Sequence, residues 1–158
     1  MVERASQIAE IDLIMRQIGW YAQKRSTHTL AHPEIDITLP QMITLFAIHD
    51  SGTCRMSTLA EVTQQSAGTL TGIVDRLIDD GLVTRVRNIS DRRVVEVMLT
   101  PEGTRRLQLV VDARREDMNQ VLEHFSEDDI ELLGRMLKRL LDELHRSETS
   151  DLSREVEA

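Results

Sequence analysis

The 158-residue sequence is poor in cysteine, in long apolar runs and in net positive charge, and each shortage excludes a class of protein. Cys54 is the single cysteine, so no disulfide can form within the chain, and a reducing compartment is expected. No apolar run approaches the roughly 18 residues of a membrane span, and residues 1–4 do not begin a signal peptide. We therefore expect a cytoplasmic protein with no membrane partner. The net charge of −8 argues against nonspecific coating of nucleic acid.

Catalytic patterns are also scarce. The sequence has no glycine-rich phosphate loop, no nucleophile elbow and no CxxC pair. Two carboxylate pairs, at 79–80 and 128–129, fall at predicted helix ends, where acidic residues usually cap the helix or face solvent. The sequence therefore predicts a protein that is not an enzyme and needs no cofactor.

What the chain does contain is a regular pattern over residues 66–99. Apolar residues recur at three- and four-residue spacing through residues 66–80, which predicts an amphipathic helix. Ser66 is a favourable N-cap, and Gly81 supplies a left-handed stop. Two segments with a period of two follow, separated by turn residues 88–91, and they predict a β-hairpin. A helix followed directly by a charged hairpin is typical of a winged helix.

The outward face of this helix indicates how it is used. A shorter helix predicted over residues 57–65 precedes it, which completes a helix-turn-helix pattern. Each internal glycine costs about 1 kcal/mol relative to alanine, so we expect another backbone or a base-pair edge to come close. The alternative is a solvated helix face with no partner. The face consists of small and polar residues: Gly68, Thr69, Thr71, Gly72, Asp75, Arg76 and Asp79.

Charge is distributed unevenly along the chain. Residues 66–93 contain five arginines and four aspartates, whereas the chain as a whole is strongly acidic. A basic hairpin on an acidic body suits a protein that meets DNA with one edge. An acidic or apolar hairpin would instead have favoured a winged-helix module that binds protein, which is the alternative function.

Six separate blocks stand out in this part of the sequence: Leu59-Ala60-Glu61, Ser66, Val74-Asp75-Arg76-Leu77, Gly81-Leu82-Val83, Asp91-Arg92-Arg93 and Leu99-Thr100-Pro101-Glu102-Gly103. Together these blocks resemble the multiple-antibiotic-resistance regulator (MarR) family of transcription factors. The resemblance departs from the family at 63–65, where the usual glycine-containing turn reads Thr-Gln-Gln and offers two amides to DNA.

This resemblance implies a sequence-specific regulator of double-stranded DNA. It would be a repressor that binds a pseudo-palindromic operator as a homodimer and is released by a small-molecule effector. A two-fold axis would set the two recognition helices about 34 Å apart. The residues predicted to contact DNA are Gln64, Gln65, Ser66, Gly68, Thr69, Thr71, Gly72, Arg76, Arg87, Asp91, Arg92 and Arg93.

The predicted fold is mainly α-helical with a small β-hairpin wing. We expect one domain made of two lobes. A winged helix-turn-helix lobe spans 38–100, dimerisation helices span 5–30 and 101–146, and a flexible acidic tail spans 147–158. Broad apolar stripes in the first and last helices favour packing against a second copy, as the resemblance also implies. Packing on the monomer's own core is the alternative.

Other details of the chain are predicted from local signals. Periodicity is lost over 25–36, which predicts a connection. Capping-box spacing at Thr38 and a Ser126 cap open two later helices, and 53–56 can add a third strand to the wing.

An effector pocket is the least constrained prediction. In several relatives the arginine that matches Arg85 borders a crevice for anionic aromatic compounds, so the resemblance implies a phenolic effector. Core packing explains the other four residues equally well. The predicted ligand residues are Trp20, Tyr21, Phe46, His49 and Arg85.

Redox or metal sensing on the same fold is the other alternative. Cys54 lies beside the wing rather than in the first helix, where peroxide-sensing relatives place their reactive cysteine, so we expect a buried small hydrophobe. His28 and His32 are four residues apart, but they lie in a proline-containing connection. The resemblance implies that a metal sensor would have further histidines on the helix after the wing, and residues 100–125 contain only His124, so no metal site is predicted.

Overall fold

The computed structural model of the chain describes residues 2–87 and 95–156, and within these it contains six helices and three strands. In chain order they are α1 (Val2–Leu30), α2 (Leu39–Ser51), β1 (Thr53–Arg55), α3 (Met56–Thr63), α4 (Ala67–Asp79), β2 (Val83–Arg87), β3 (Val95–Leu99), α5 (Pro101–Leu122) and α6 (Glu127–Val156). The predicted fold class, mainly helical with a small wing, is confirmed.

The wing is a three-stranded antiparallel sheet in the order β1-β3-β2. Val83 pairs with Leu99 and Arg87 with Val95, as expected for the two arms of a hairpin. The third strand predicted over 53–56 is present at Thr53–Arg55. The predicted turn at 88–91 lies outside the described residues.

The chain forms two compact units, Met1–Arg115 and Glu116–Ala158. The core described for the first unit is made by apolar faces of α2, α3, α4, α5 and the sheet. Its most completely buried side chains include Leu45, Ile48, Leu59, Leu70, Val74, Leu77, Leu82, Val83, Val97 and Val110. Helix periodicity in α4 and alternation in the strands aim these residues inward.

Local capping signals identified two helix starts correctly. At α2 the Thr38 hydroxyl accepts a hydrogen bond from the backbone N–H of Gln41, and the Gln41 side chain accepts from the backbone N–H of Thr38. At α6 the Ser126 hydroxyl accepts from the backbone N–H of Asp129. Both predicted caps are confirmed.

The prediction of a connection over 25–36 is wrong in its first half, because α1 continues to Leu30. Residues 25–30 contain no glycine or proline to break the helix. The Thr27 hydroxyl also donates to the Gln23 carbonyl, and Leu30 is buried in the core. Tertiary packing therefore extends the helix where the apolar period fades.

The terminal helices, α1 and α6, each have a long series of exposed apolar side chains. On α1 these include Ile8, Ile11, Leu13, Ile14, Met15, Ile18, Trp20 and Tyr21, and on α6 they include Ile130, Leu132, Leu133, Met136, Leu137, Leu140, Leu141 and Leu144. Despite these stripes, no helix among the described residues is long and apolar enough to span a membrane.

The last helix extends into the segment predicted as an acidic tail. The backbone of α6 is helical to Val156, well past the start of the tail predicted over 147–158. No glycine or proline follows Gly134, so the sequence contains no signal that stops the helix.

Candidate nucleic-acid interface

The turn between α3 and α4 keeps helix-turn-helix geometry without the usual glycine. Gln64 adopts the left-handed conformation, with φ 53° and ψ 36°. Its backbone N–H donates to the Glu61 carbonyl at 3.2 Å, and the Gln65 N–H donates to the Ala60 carbonyl at 3.1 Å. A residue other than glycine pays a steric cost in this conformation. The departure at 63–65 therefore raises the steric cost of the turn, and the turn still makes both of these backbone hydrogen bonds.

The start of α4 is capped as predicted. The Ser66 hydroxyl accepts a hydrogen bond from the Thr69 N–H at 3.2 Å and lies 2.8 Å from the Thr69 hydroxyl. The remaining free N–H groups of the first turn and the positive end of the helix dipole are oriented outward with the exposed residues Ala67 and Gly68. This end of α4 therefore suits a phosphate or the edge of a base pair.

The outer face of α4 is open. Leu70, Val74 and Leu77 are fully buried beneath it, whereas Gly68 and Gly72 are exposed. A Cβ atom added at either glycine meets nothing within 4 Å in the described part of the chain. The expectation that the chain's own backbone might approach these glycines is therefore not met among the described residues. The two alternatives that stay open are a base-pair edge and a solvated helix face with no partner.

The hydroxyl groups of the two threonines on this face, Thr69 and Thr71, both make hydrogen bonds within α4 or its cap. Thr71 donates to the Ala67 carbonyl at 2.8 Å, and Thr69 shares its proton with Ser66. Each hydroxyl oxygen still has lone-pair capacity, so Thr71 can accept a hydrogen bond from an adenine or cytosine amino group.

The two predicted glutamine contacts differ in their accessibility. The Gln64 side chain is exposed at the turn. The Oε1 atom of Gln65 is buried and has no hydrogen-bond partner among the described residues. A contact from that oxygen to DNA requires the side chain to turn outward, which would also relieve an unsatisfied buried acceptor.

The arginines around α4 fall into two groups. The side chains of Arg76 and Arg87 have no ion pair or hydrogen bond within the described part of the chain and are free to bind phosphate. Arg85 instead pairs with Asp75 at 2.5 Å, which ties β2 to α4. The predicted wing-tip contacts Asp91, Arg92 and Arg93 lie outside the described residues.

The structure gives each predicted ligand residue a local neighbour. The rings of Trp20 and Tyr21 meet edge to face at 5.1 Å, and they line an open groove on α1. Phe46 packs against the core, and His49 Nδ1 lies 3.2 Å from an Asp50 carboxylate oxygen. Arg85 is held by Asp75, and a ligand pocket formed by the five residues stays a prediction.

The cysteine and histidines singled out above occupy ordinary positions. Cys54 is 4% exposed in the core beside β3, which confirms its prediction as a buried small residue. His28 and His32 line a cleft of about 370 Å³ whose apolar floor includes Ile35 and Leu109. Among the described residues, no group of three or more His, Cys, Asp or Glu side chains is arranged to hold a metal ion.

A charged cluster at the start of α5 was not predicted. Hydrogen bonds from Arg105, and then from Arg106, lower the pKa of Glu102 from the ordinary 4.5 to about 2. Arg106 also donates to the Ile35 carbonyl at 2.7 Å, which pins the loop before α2 to α5. The two residues are far apart in the chain, so no local pattern signals this contact.

The fold and this surface define a winged-helix protein of the kind that binds DNA to regulate transcription. The family model described as "MarR family" matches residues 37–95. The chain is 30% identical over 139 residues to the uncharacterized HTH-type transcriptional regulator YsmB of Bacillus subtilis (strain 168), covering 88% of this chain and 94% of that protein. It is 25% identical over 118 residues to the HTH-type transcriptional repressor MdtR of the same organism, covering 75% of this chain and 76% of that protein.

A solved structure gives the same result. The structure of a MarR family protein from Bacillus stearothermophilus matches with a TM-score of 0.80 and 31% identity, covering 88% of this chain and 96% of that one. The chain belongs to the MarR family of DNA-binding transcription regulators. These relatives are regulators of transcription rather than enzymes.

Proposed function

We propose that the protein is a cytoplasmic repressor that binds a pseudo-palindromic operator as a homodimer. The observation that carries the proposal is the open outer face of α4. Small exposed residues over a buried apolar stripe, next to the unpaired Arg76, make a surface that fits the major groove and its phosphates. The repressor assignment is supported by the name of the relative MdtR.

The dimer is supported by the apolar faces of the terminal helices. Large side chains there are exposed in the single chain, Trp20 to 60% and Met136 to 57%. Apolar stripes of this extent mark an interaction surface, and a second copy related by a two-fold axis is the usual partner. Two recognition helices would then face successive major grooves about 34 Å apart.

Contacts to DNA divide by chemistry. Arg76 and Arg87 would bind phosphates, and they would supply affinity without sequence preference. Thr71, Gln64 and Gln65 would read base edges from α4 and its turn. Arg93, which is outside the described residues, would enter the minor groove.

The test begins by footprinting the protein on the DNA upstream of its own gene. On the protected fragment, Arg76→Ala should weaken binding to all sequences and lower the slope of log K against log salt by about one. Thr71→Val should instead relax the choice of base at one position by about 1–3 kcal/mol. Arg146→Ala, on α6, is the control.

An Arg76→Ala protein with unchanged affinity and an unchanged salt slope would refute the phosphate assignment. Equal loss from Arg146→Ala would show that net charge alone accounts for the effect.

We further propose release by an anionic aromatic effector, such as a salicylate-like phenolic acid. A carboxylate would compete with Asp75 for the Arg85 guanidinium, and the aromatic residues of α1 could stack on the ring. Losing the Arg85–Asp75 pair would loosen β2 from α4. A state change of this kind requires the effector to prefer one conformation by several kcal/mol.

Two variants separate an effector site from a structural ion pair. The DNA complex is titrated with phenolic acids at constant pH and ionic strength. Arg85→Ala should blunt release by the effector, whereas Asp75→Asn, which leaves Arg85 free, should sharpen it. If both variants change DNA affinity alike and leave the effector response unchanged, the pair is structural only. No release by any phenolic acid would reject this effector class.

A further inference from the structure

The recognition helix α4 ends in a compact motif that directs two carbonyl groups out of the helix. Gly81, with φ 72°, donates its N–H to the Ile78 carbonyl at 2.9 Å, and Leu82 donates to the Leu77 carbonyl at 2.8 Å. This is a Schellman stop, which satisfies the last helical carbonyls. The carbonyl groups of Gly81 and Leu82 are not bonded within this motif and need hydrogen-bond donors from elsewhere.

Thr100 supplies both donors. Its hydroxyl donates to the Gly81 carbonyl at 2.7 Å, and its backbone N–H donates to the Leu82 carbonyl at 3.0 Å. The same hydroxyl oxygen accepts a hydrogen bond from the Gly103 N–H at 3.0 Å, so Thr100 also caps the start of α5. One side chain therefore joins the end of α4 to the start of α5.

Gly103 lets the two elements come this close. A Cβ atom at this position would lie 2.0 Å from the backbone oxygen of Leu82 and 2.9 Å from its carbonyl carbon. The atoms that such a Cβ would meet belong to the backbone and not to a flexible side chain. The nearby Leu82 and Leu107 side chains are both buried in the core. Any larger residue at Gly103 must therefore move α5 away from the end of α4.

We propose that Thr100 and Gly103 are positioning residues for operator recognition, which fix the direction of α4 relative to α5. The proposal rests on the homodimer proposed above, in which the spacing of two recognition helices must match the operator. The 13 residues of α4 make a helix of about 20 Å. A tilt of about 10° at its fixed end moves the other end by about 3 Å, close to one base-pair step.

The contact of Thr100 and Gly103 with the carbonyls of Gly81 and Leu82 is called the joint below. Three variants of the full-length protein test it. Thr100→Val removes the hydroxyl and keeps the side-chain shape, Thr100→Ser keeps the hydroxyl, and Gly103→Ala forces the two elements apart. Thr44→Val in α2 is the matched control, because it removes a buried threonine hydroxyl bonded to a backbone carbonyl, that of Pro40, away from this joint.

The readout is affinity for the footprinted operator, for versions with one base pair added or removed between half-sites, and for unrelated DNA at low salt. Thr100→Val and Gly103→Ala should lose about tenfold or more on the native operator, the scale of one mismatched base pair. Their preference for native spacing should shrink or shift, while binding to unrelated DNA is retained. Thr100→Ser should restore the wild-type spacing preference, and Thr44→Val should keep it even where its thermal stability is lowered.

Several results would overturn the proposal. Loss of affinity that is uniform across all spacings and unrelated DNA, in proportion to lost thermal stability, would assign the joint a structural role only. Wild-type spacing preference in Thr100→Val would reject it even if Gly103→Ala failed to fold. If the wild-type protein protects DNA but shows no dependence on half-site spacing, the proposed recognition of a two-site operator is wrong. The proposal for Thr100 and Gly103 then fails with it.

Discussion

The winged-helix segment and the terminal helices contain the same kinds of apolar residue in opposite surroundings. Leu70 of α4 is fully buried within its own chain, whereas Leu140 of α6 and Ile11 of α1 remain 39% and 56% exposed. Burying such a side chain stabilises a protein by about 1.5–3 kcal/mol. The first region obtains this stabilisation inside one chain, whereas the second would obtain it by packing against the proposed second copy.

Disrupting the terminal helices should therefore give the largest effect on function. Deleting the chain after Phe125 should yield monomer or aggregate and abolish operator binding, since paired sites gain about 10²–10⁴ from linkage. Size-exclusion chromatography with light scattering and a gel-shift titration measure the two outcomes.

A point variant makes the same test without removing a helix. Leu140→Asp should dissociate the dimer, whereas Lys138→Asp, at a polar position two residues away, should not. A truncated monomer that stays folded and binds the operator tightly would show that the exposed stripes have another purpose.

The next largest effect should come from truncating a core side chain in the winged-helix segment, which should lower the free energy of unfolding by about 2–5 kcal/mol. Leu70→Ala leaves a cavity under the recognition helix, and the lost free energy of unfolding should not depend on protein concentration. The comparison variant is Leu140→Ala, whose loss should shrink as the protein is diluted and its chains separate, because the side chain is exposed in the single chain. Urea unfolding at several protein concentrations distinguishes them. The same concentration dependence in both variants would erase the contrast between the two regions.

A smaller effect, and one that raises stability, is expected at the left-handed residue between α3 and α4. Gln64→Gly should raise the free energy of unfolding by about 0.5–1 kcal/mol, since glycine adopts this conformation without steric cost but loses more entropy on folding. Gln64→Ala is the control and should give no such gain, because alanine has a Cβ atom too. Thermal unfolding measures both. If the alanine variant were stabilised equally, the backbone conformation would not be the cause.

The smallest effect should come from the exposed carboxylate at the start of α5. Because the pKa of Glu102 is lowered to about 2 by Arg105 and Arg106, its contribution to stability is complete above pH 4.5. That contribution should disappear as the pH falls from 4.5 towards 2. Urea midpoints of wild type and Glu102→Gln should therefore differ at pH 7 and converge in acid.

Glu61→Gln, which removes an exposed carboxylate from α3, gives the baseline for losing one negative charge from the chain. A Glu102→Gln difference that persists unchanged down to pH 2 would show that the ion pairs are not its source.

Local patterns predicted most of the winged-helix segment. The caps at Ser66 and Thr38, the stop at Gly81 and the two hairpin strands each depend on residues within a few positions of one another. The same reasoning failed where a local signal was weak. Residues 25–30 lack an apolar period, yet burial of Leu30 carries α1 through them.

The fold class, the helix-turn-helix and the polar face of α4 could be predicted from local patterns, because periodicity and capping act over one or two helical turns. Packing between distant elements settles which polar groups are held in contacts within the chain. Arg85 is held by Asp75, Thr100 joins the end of α4, and Arg106 holds the loop at Ile35, across separations of 10, 19 and 71 residues. Such contacts depend on how elements pack, and packing is a property of the assembled core rather than of any stretch of sequence.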